Sequence, residues 1–173
     1  IDAMNIRPDD DILDMGCGPA GIFTILNDHR VDAVDPLMED YEQNLQFFRK
    51  AEYPWVQFHQ AQIENYQALA ASYDVIFCLN AINHVADMEA GFQQLARLLK
   101  PGGYLWLTID AHNYPFFKHL FRLLPGDVLH PHQYDLLEYE SFTQQNVGTI
   151  EVKKLIKHEF FFDHYLLVAQ KAG

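Results

Sequence analysis

The turn Gly16-Cys17-Gly18-Pro19-Ala20-Gly21 constrains the fold more than any other stretch of the chain. Before it, Asp11-Ile12-Leu13-Asp14-Met15 reads as a short strand. After it, Ile22, Phe23, Ile25 and Leu26 stand at helical spacing and predict a helix over 21–27. A strand that enters a tight glycine turn and leaves as a helix is the first half of a crossover unit, which lays the next strand parallel to the first.

The alternation continues. Val31 to Val34 reads as a second strand closed by Asp35-Pro36, and Tyr41, Leu45 and Phe48 mark one face of a helix over 38–50. A third strand is expected over 56–59, then a short helix over 66–71. Val75-Ile76-Phe77-Cys78-Leu79 is apolar throughout, as a strand covered on both faces should be. Met88, Phe92, Leu95 and Leu99 predict a helix that Pro101-Gly102-Gly103 stops, with a fifth strand over 104–109. The tail departs from this order: a helix over 138–145 precedes strands over 149–156 and 160–169. Those two lie too close together for a helical crossover and should form an antiparallel hairpin at the sheet edge. The expected class is α/β, a mostly parallel sheet with helices on both faces.

At 173 residues the chain suits a single domain, 1–173, with one interruption, an aromatic and aliphatic insertion over 110–133 expected to act as a lid. Within it Phe116, Phe117, Leu120, Phe121 and Leu124 would share one helical face, packed on the core or closing over an apolar substrate. The formal charge of −12 disfavours a phosphate-backbone binder, whose affinity comes largely from clustered Lys and Arg, and an anionic lipid surface for the same reason. Cys17 and Cys78 form no CxxC pair and fit a reducing, cytoplasmic setting. No run is long enough to span a membrane and no leader is evident; the chain opens on Ile1, and an N-terminal segment is expected to be missing.

Glycines at 16, 18 and 21 let backbone approach a ligand closely, and the following helix would aim its free amides at the same place. Asp35, nineteen residues after Gly16, stands where a carboxylate can accept both ribose hydroxyls of an adenosine cofactor. Asp14 discriminates between cofactors: at the mouth of the site it would repel a pyrophosphate and suit an ammonium or sulfonium group.

Ile12-Leu13-Asp14-Met15-Gly16-Cys17-Gly18-Pro19-Ala20-Gly21 resembles the first motif of class I S-adenosylmethionine-dependent methyltransferases. Val34-Asp35-Pro36, Asp74 to Val85, and Leu98-Leu99-Lys100-Pro101-Gly102-Gly103-Tyr104-Leu105 resemble that family's second strand end, fourth strand with its loop, and entry into the fifth. The resemblance implies a Rossmann-like, doubly wound sheet of seven strands and S-adenosyl-L-methionine as methyl donor, with S-adenosyl-L-homocysteine as product. It implies that Asp14 and the Gly16-Cys17-Gly18 backbone hold the methionine end, and that Asp35 takes the ribose. Pro36 and Leu37 would line the adenine, Gln62 and Ile63 would meet its edge, and Leu79-Asn80-Ala81 would pass beneath the methionine moiety. Ala20 stands where the family usually has glycine, and Gln62 where many members have Asp.

His84, in the loop after the fourth strand, is the candidate general base; His112 and His132 are weaker ones. His130-Pro131-His132 could place two imidazoles near one site, but no matched ligand spacing accompanies them and no metal site is expected there. No Pro-Pro-aromatic sequence follows Asn80, which separates the chain from methyltransferases acting on exocyclic amines of DNA bases or on glutamine, and leaves a small-molecule acceptor. Two other classes fit the glycine loop: an NAD-dependent oxidoreductase, and a partner subunit that binds S-adenosylmethionine without turnover.

Overall fold

The computed structural model describes residues 6–112 and 134–173. Seven strands form one sheet: β1 (Ile12–Met15), β2 (Val31–Val34), β3 (Val56–His59), β4 (Tyr73–Leu79), β5 (Leu99–His112), β6 (Gly148–His158) and β7 (Phe162–Lys171). Among the described residues, three α-helices accompany them: α1 (Met38–Asn44), α2 (Met88–Leu98) and α3 (Leu136–Asn146). The spatial order is β3-β2-β1-β4-β5-β7-β6. β1 pairs in parallel with β2 and β4, and the order reverses across it, which is where open α/β sheets bind ligands. β7 runs antiparallel between β5 and β6, so the expected hairpin closes the edge. Every residue of β1 is buried, as a central strand requires, whereas residues 151–158 of β6 are all exposed.

α2 shows why sequence and structure agree there. Asp87 caps it by accepting from the Ala90 amide at 3.1 Å, and Met88, Phe92, Leu95 and Leu98 are buried on one stripe. β5 follows at once, starting at Leu99 rather than Tyr104. The ladder to β4 is irregular between Tyr73 and Val75, where Pro101-Gly102-Gly103 intervenes on β5. A Cβ on Gly103 would lie 2.8 Å from the Asp74 carbonyl, so only glycine fits that approach.

α3 runs longer than the expected 138–145, whereas the helices expected over 21–27, 38–50 and 66–71 are shortened or absent. The 21–27 segment holds one 3₁₀ turn, Ile22–Ile25, preceded by another at Gly18–Ala20. Pro19 and the extended backbone of Gly21 split it before an α-helix can nucleate. α1 ends at Asn44, six residues early, because the Arg49 guanidinium takes the carbonyls of Leu45 at 2.8 Å and Phe48 at 2.7 Å. No helix forms over 66–71: the Tyr66 carbonyl accepts from Gln94 at 2.6 Å and that of Ala68 from Arg97 at 2.9 Å, so α2 side chains use carbonyls a helix would need. A single 3₁₀ turn, Ile63–Asn65, precedes that stretch.

The core lies in two layers. One packs Leu13, Met15, Ile76 and Leu107 under α2 and α3; the other packs Ile12, Val31, Ala33 and Phe77 with Phe23, Met38 and Phe48. Of the 110–133 insertion, residues 113–133, with the aromatic run and His132, lie outside the described residues. Among the described residues, no helix is long and apolar enough to cross a membrane.

Candidate functional site

Two cavities meet at the glycine turn, above the C-terminal ends of β1, β2 and β4. The larger, about 460 Å³, is lined by Gly16, Gly18, Asp35, Pro36, Leu37, Tyr41, Gln62, Ile63, Glu64, Asn80, Ala81, His84, Val85 and Ala86. The smaller, about 280 Å³, takes Asp14, Cys17 and Leu79 with Gly21 and Ile22, and shares Gly16 with the first. The two cavities therefore bring together every candidate cofactor residue and His84. His112 is buried at the end of β5, outside both linings.

The turn is built from close approach. Gly16 has φ +71°, and a Cβ there would fall 2.2 Å from Ala81 Cβ, so the glycine lets the β4 loop rest on the turn. Gly18 has φ +57° and nothing within 4 Å of its missing Cβ, which leaves its backbone open to a ligand. The amides of Gly16 and Cys17 both donate to the Val34 carbonyl, at 2.7 and 3.1 Å, tying the turn to the end of β2.

Asp35 leaves β2 directly beneath this turn. Its Oδ2 accepts from the Gly18 amide and its Oδ1 from the Leu37 amide, each at 2.9 Å, and the residue is only 7% exposed. Each carboxylate oxygen has a second acceptor site, so the pair remains able to take two further donors. Tyr41 borders the same cavity, and burial together with the nearby Asp35 charge pushes its phenol up to about 12.

Asp14 departs from expectation. It is 1% exposed and sits under the turn rather than at its mouth, because β1 is covered on both faces. Its Oδ2 accepts from the Phe23 amide at 3.1 Å and would lie 2.3 Å from a Cβ on Gly21. Burial pushes its pKa up to about 7, against the backbone hydrogen bonds from Phe23 and Ile22.

Gln62 is exposed, and its Oε1 accepts from Asn65 Nδ2 at 3.0 Å. The backbone of Asn80 has φ +55°, a left-handed conformation that asparagine tolerates better than most residues. His84 is exposed on the cavity wall. Cys17 and Cys78 are buried thiols pushed well above their ordinary pKa by desolvation, the opposite of what a nucleophile needs. Among the described residues, no three His, Cys, Asp or Glu side chains are grouped to hold a metal ion.

Sequence reasoning passed over Glu64. Its Oε1 accepts from the Ala86 amide at 2.7 Å and pins the far wall of the cavity, a role with no local motif to reveal it. Tyr41 was legible only as part of an apolar helix face. Val85 and Ala86 join the lining because the 3₁₀ turn Ile82–His84 folds the chain back over the opening.

Comparison with known proteins extends this picture. The chain is 28% identical over 158 residues to a ubiquinone biosynthesis O-methyltransferase of Rickettsia prowazekii, covering 84% of this chain and 61% of that one, so it spans under two-thirds of that relative's length. Its fold matches the YcgJ protein of Bacillus subtilis with a TM-score of 0.78 at 19% identity, over 99% of this chain and 96% of the other. It also matches a SAM-dependent methyltransferase of Methanosarcina mazei with a TM-score of 0.74 at 19% identity, over 98% and 96%. A family model described as "Methyltransferase domain" matches residues 13–107. That span is more than half of the chain and carries both cavities from Asp14 to Ala86; the chain belongs to the methyltransferase-domain family.

Proposed function

We propose that the chain transfers a methyl group from S-adenosyl-L-methionine to a small-molecule acceptor. One observation carries this reading: the half-satisfied carboxylate of Asp35, held by the Gly18 and Leu37 amides on the wall of a cavity large enough for a nucleoside. The residues present fit such a donor. Gly18 leaves backbone open where a polar ligand can lie, and Leu37, Ile63, Ala81 and Val85 offer apolar surface for a purine.

When bound, S-adenosylmethionine supplies an electrophilic methyl group on a sulfonium. Asp35 accepts hydrogen bonds from the ribose hydroxyls, and its two amide donors keep the carboxylate from rotating away. Gly16 sets the distance between the turn and the β4 loop, so that Leu79 and Asn80 border the reacting end. Asp14, titrating near neutrality beneath the turn, favours a cation above it whenever it is ionised. Such a site contributes mainly alignment, worth about 7–11 kcal/mol of a bimolecular barrier. His84 on the cavity wall is the group to accept a proton from an acceptor that must lose one.

The Rickettsia prowazekii relative, named for O-methylation in ubiquinone biosynthesis, supports a small organic acceptor, and the charge of −12 argues against nucleic acid. Free, buried Cys17 and Cys78 suit a reducing compartment, and we assign the chain to the cytoplasm. The test is a calorimetric titration with S-adenosylhomocysteine and NADH in parallel. Saturable binding of the first alone is expected; preference for NADH would replace this reading with an oxidoreductase.

A further inference from the structure

The wall of the larger cavity is held from an unexpected direction. Asn83, the middle residue of the Ile82–His84 turn, is 1% exposed and faces away from the cavity that Ala81, His84 and Val85 line. Its Oδ1 accepts from the hydroxyl of Tyr139 at 2.9 Å, across 56 positions of sequence. Its Nδ2 is buried and has no partner. A buried primary amide normally finds partners for both ends, because each unmatched one forfeits hydration without return. Asn83 thus stays inside by virtue of one bond. If that bond is lost, both ends of the amide are unsatisfied, and rolling the side chain out to water becomes the cheaper arrangement.

Such a roll would be felt in the cavity. Ala81 precedes the turn and rests on Gly16, at a separation too small for any Cβ on the glycine. On the other side of Asn83, the Ala86 amide is held by Glu64. Tyr139 itself is well anchored: it is fully buried on α3, whose first turn is closed by the reciprocal Asp135–Glu138 capping box. Phe142, one turn further on, stacks on Phe92 of α2 at 5.6 Å. Burial raises the pKa of the Tyr139 phenol, so it remains protonated and donates.

We propose that Tyr139 is a positioning residue for the cofactor cavity: through Asn83 it fixes the Ala81–Val85 wall, coupling α3, which lies beyond the matched methyltransferase span, to ligand affinity. The binding part of this proposal rests on the functional reading above. Tyr139→Phe keeps the ring and removes only the donor, so the variant should fold. It is expected to bind S-adenosylhomocysteine about tenfold more weakly, the effect of one buried hydrogen bond. Asn83→Ala, which removes the amide that would roll out, should lose less, and the double variant no more than Tyr139→Phe alone. Unchanged affinity in Tyr139→Phe, or losses that multiply in the double variant, would overturn the proposal.

A second measurement is independent of the ligand. Hydrogen exchange of the His84 and Ala86 amides should be about tenfold faster in Tyr139→Phe, with amides of β1 and β2 unchanged. Equal rates would overturn the proposal even if affinity fell. If the wild-type chain shows no S-adenosylhomocysteine binding, the functional reading fails and exchange alone decides this one.

Discussion

Replacing Asp14 with asparagine tests the buried carboxylate under the glycine turn. Burial lifts its pKa from the ordinary 3.8 to about 7, so the folded state holds a proton that the unfolded chain releases near pH 4. A group raised in this way contributes stability that is complete below the unfolded value and is lost as pH climbs through the folded one. Between pH 4 and 7 the loss runs at about 1.4 kcal/mol per pH unit, which gives roughly 4 kcal/mol over the interval as an upper figure. Asparagine keeps an oxygen for the Phe23 amide and has no proton to release. Urea unfolding at half-unit steps from pH 4 to 8 should therefore show Asp14→Asn gaining on the wild type steadily up to about pH 7 and then holding a constant lead. A difference that stays flat across the range would refute the claim that this carboxylate titrates late.

The same titration links to binding: a sulfonium above Asp14 should expel its proton, so S-adenosylmethionine affinity should rise between pH 6 and 8 more than that of S-adenosylhomocysteine; parallel profiles would count against the arrangement. Asp35→Ala removes the acceptor for two hydroxyls and should weaken S-adenosylhomocysteine binding by about a hundredfold, read by calorimetry. Gly18→Ala meets open space and should cost only the left-handed strain of about 1–2 kcal/mol, whereas Gly16→Ala must push Ala81 aside and should cost clearly more in a denaturant melt. His84→Ala, on an exposed side chain, should leave melting temperature and S-adenosylhomocysteine affinity unchanged while lowering turnover of an acceptor that must lose a proton; lost affinity would show a structural role instead.

Strands were legible because their apolar residues crowd into short runs: Val75 to Leu79 is apolar throughout and Ile12 to Met15 is interrupted only by Asp14, so these side chains have nowhere else to be buried. The residues lining the two cavities were legible for a related reason: glycine at 16 and 18 and a carboxylate at the end of the second strand are local requirements of backbone approach. Helix ends were not, since they depend on distant donors. Arg49 cuts α1 short, and Gln94 with Arg97 keeps 66–71 from coiling, through contacts that periodicity cannot express. The depth of Asp14 escaped for the same cause. Position in a motif says which side chain is near a turn, but only the covering of β1 by neighbours says whether water reaches it. Glu64 and Tyr139 act across 22 and 56 residues, beyond the reach of local pattern.

The outermost strand has its own consequence. Among the described residues, β6 is an edge strand whose outer amides and carbonyls, beside Val152, Leu155 and Ile156, are a template on which another sheet could grow. Lys153, Lys154 and Lys157 lie on that strand, Lys153 and Lys157 paired with Glu140 and Glu159, and the cost of desolvating these charges makes self-association of two such rims unfavourable. Stripping those charges, with threonine for example, would leave the cavities at the glycine turn untouched and turn a guarded margin into a nucleus for fibres.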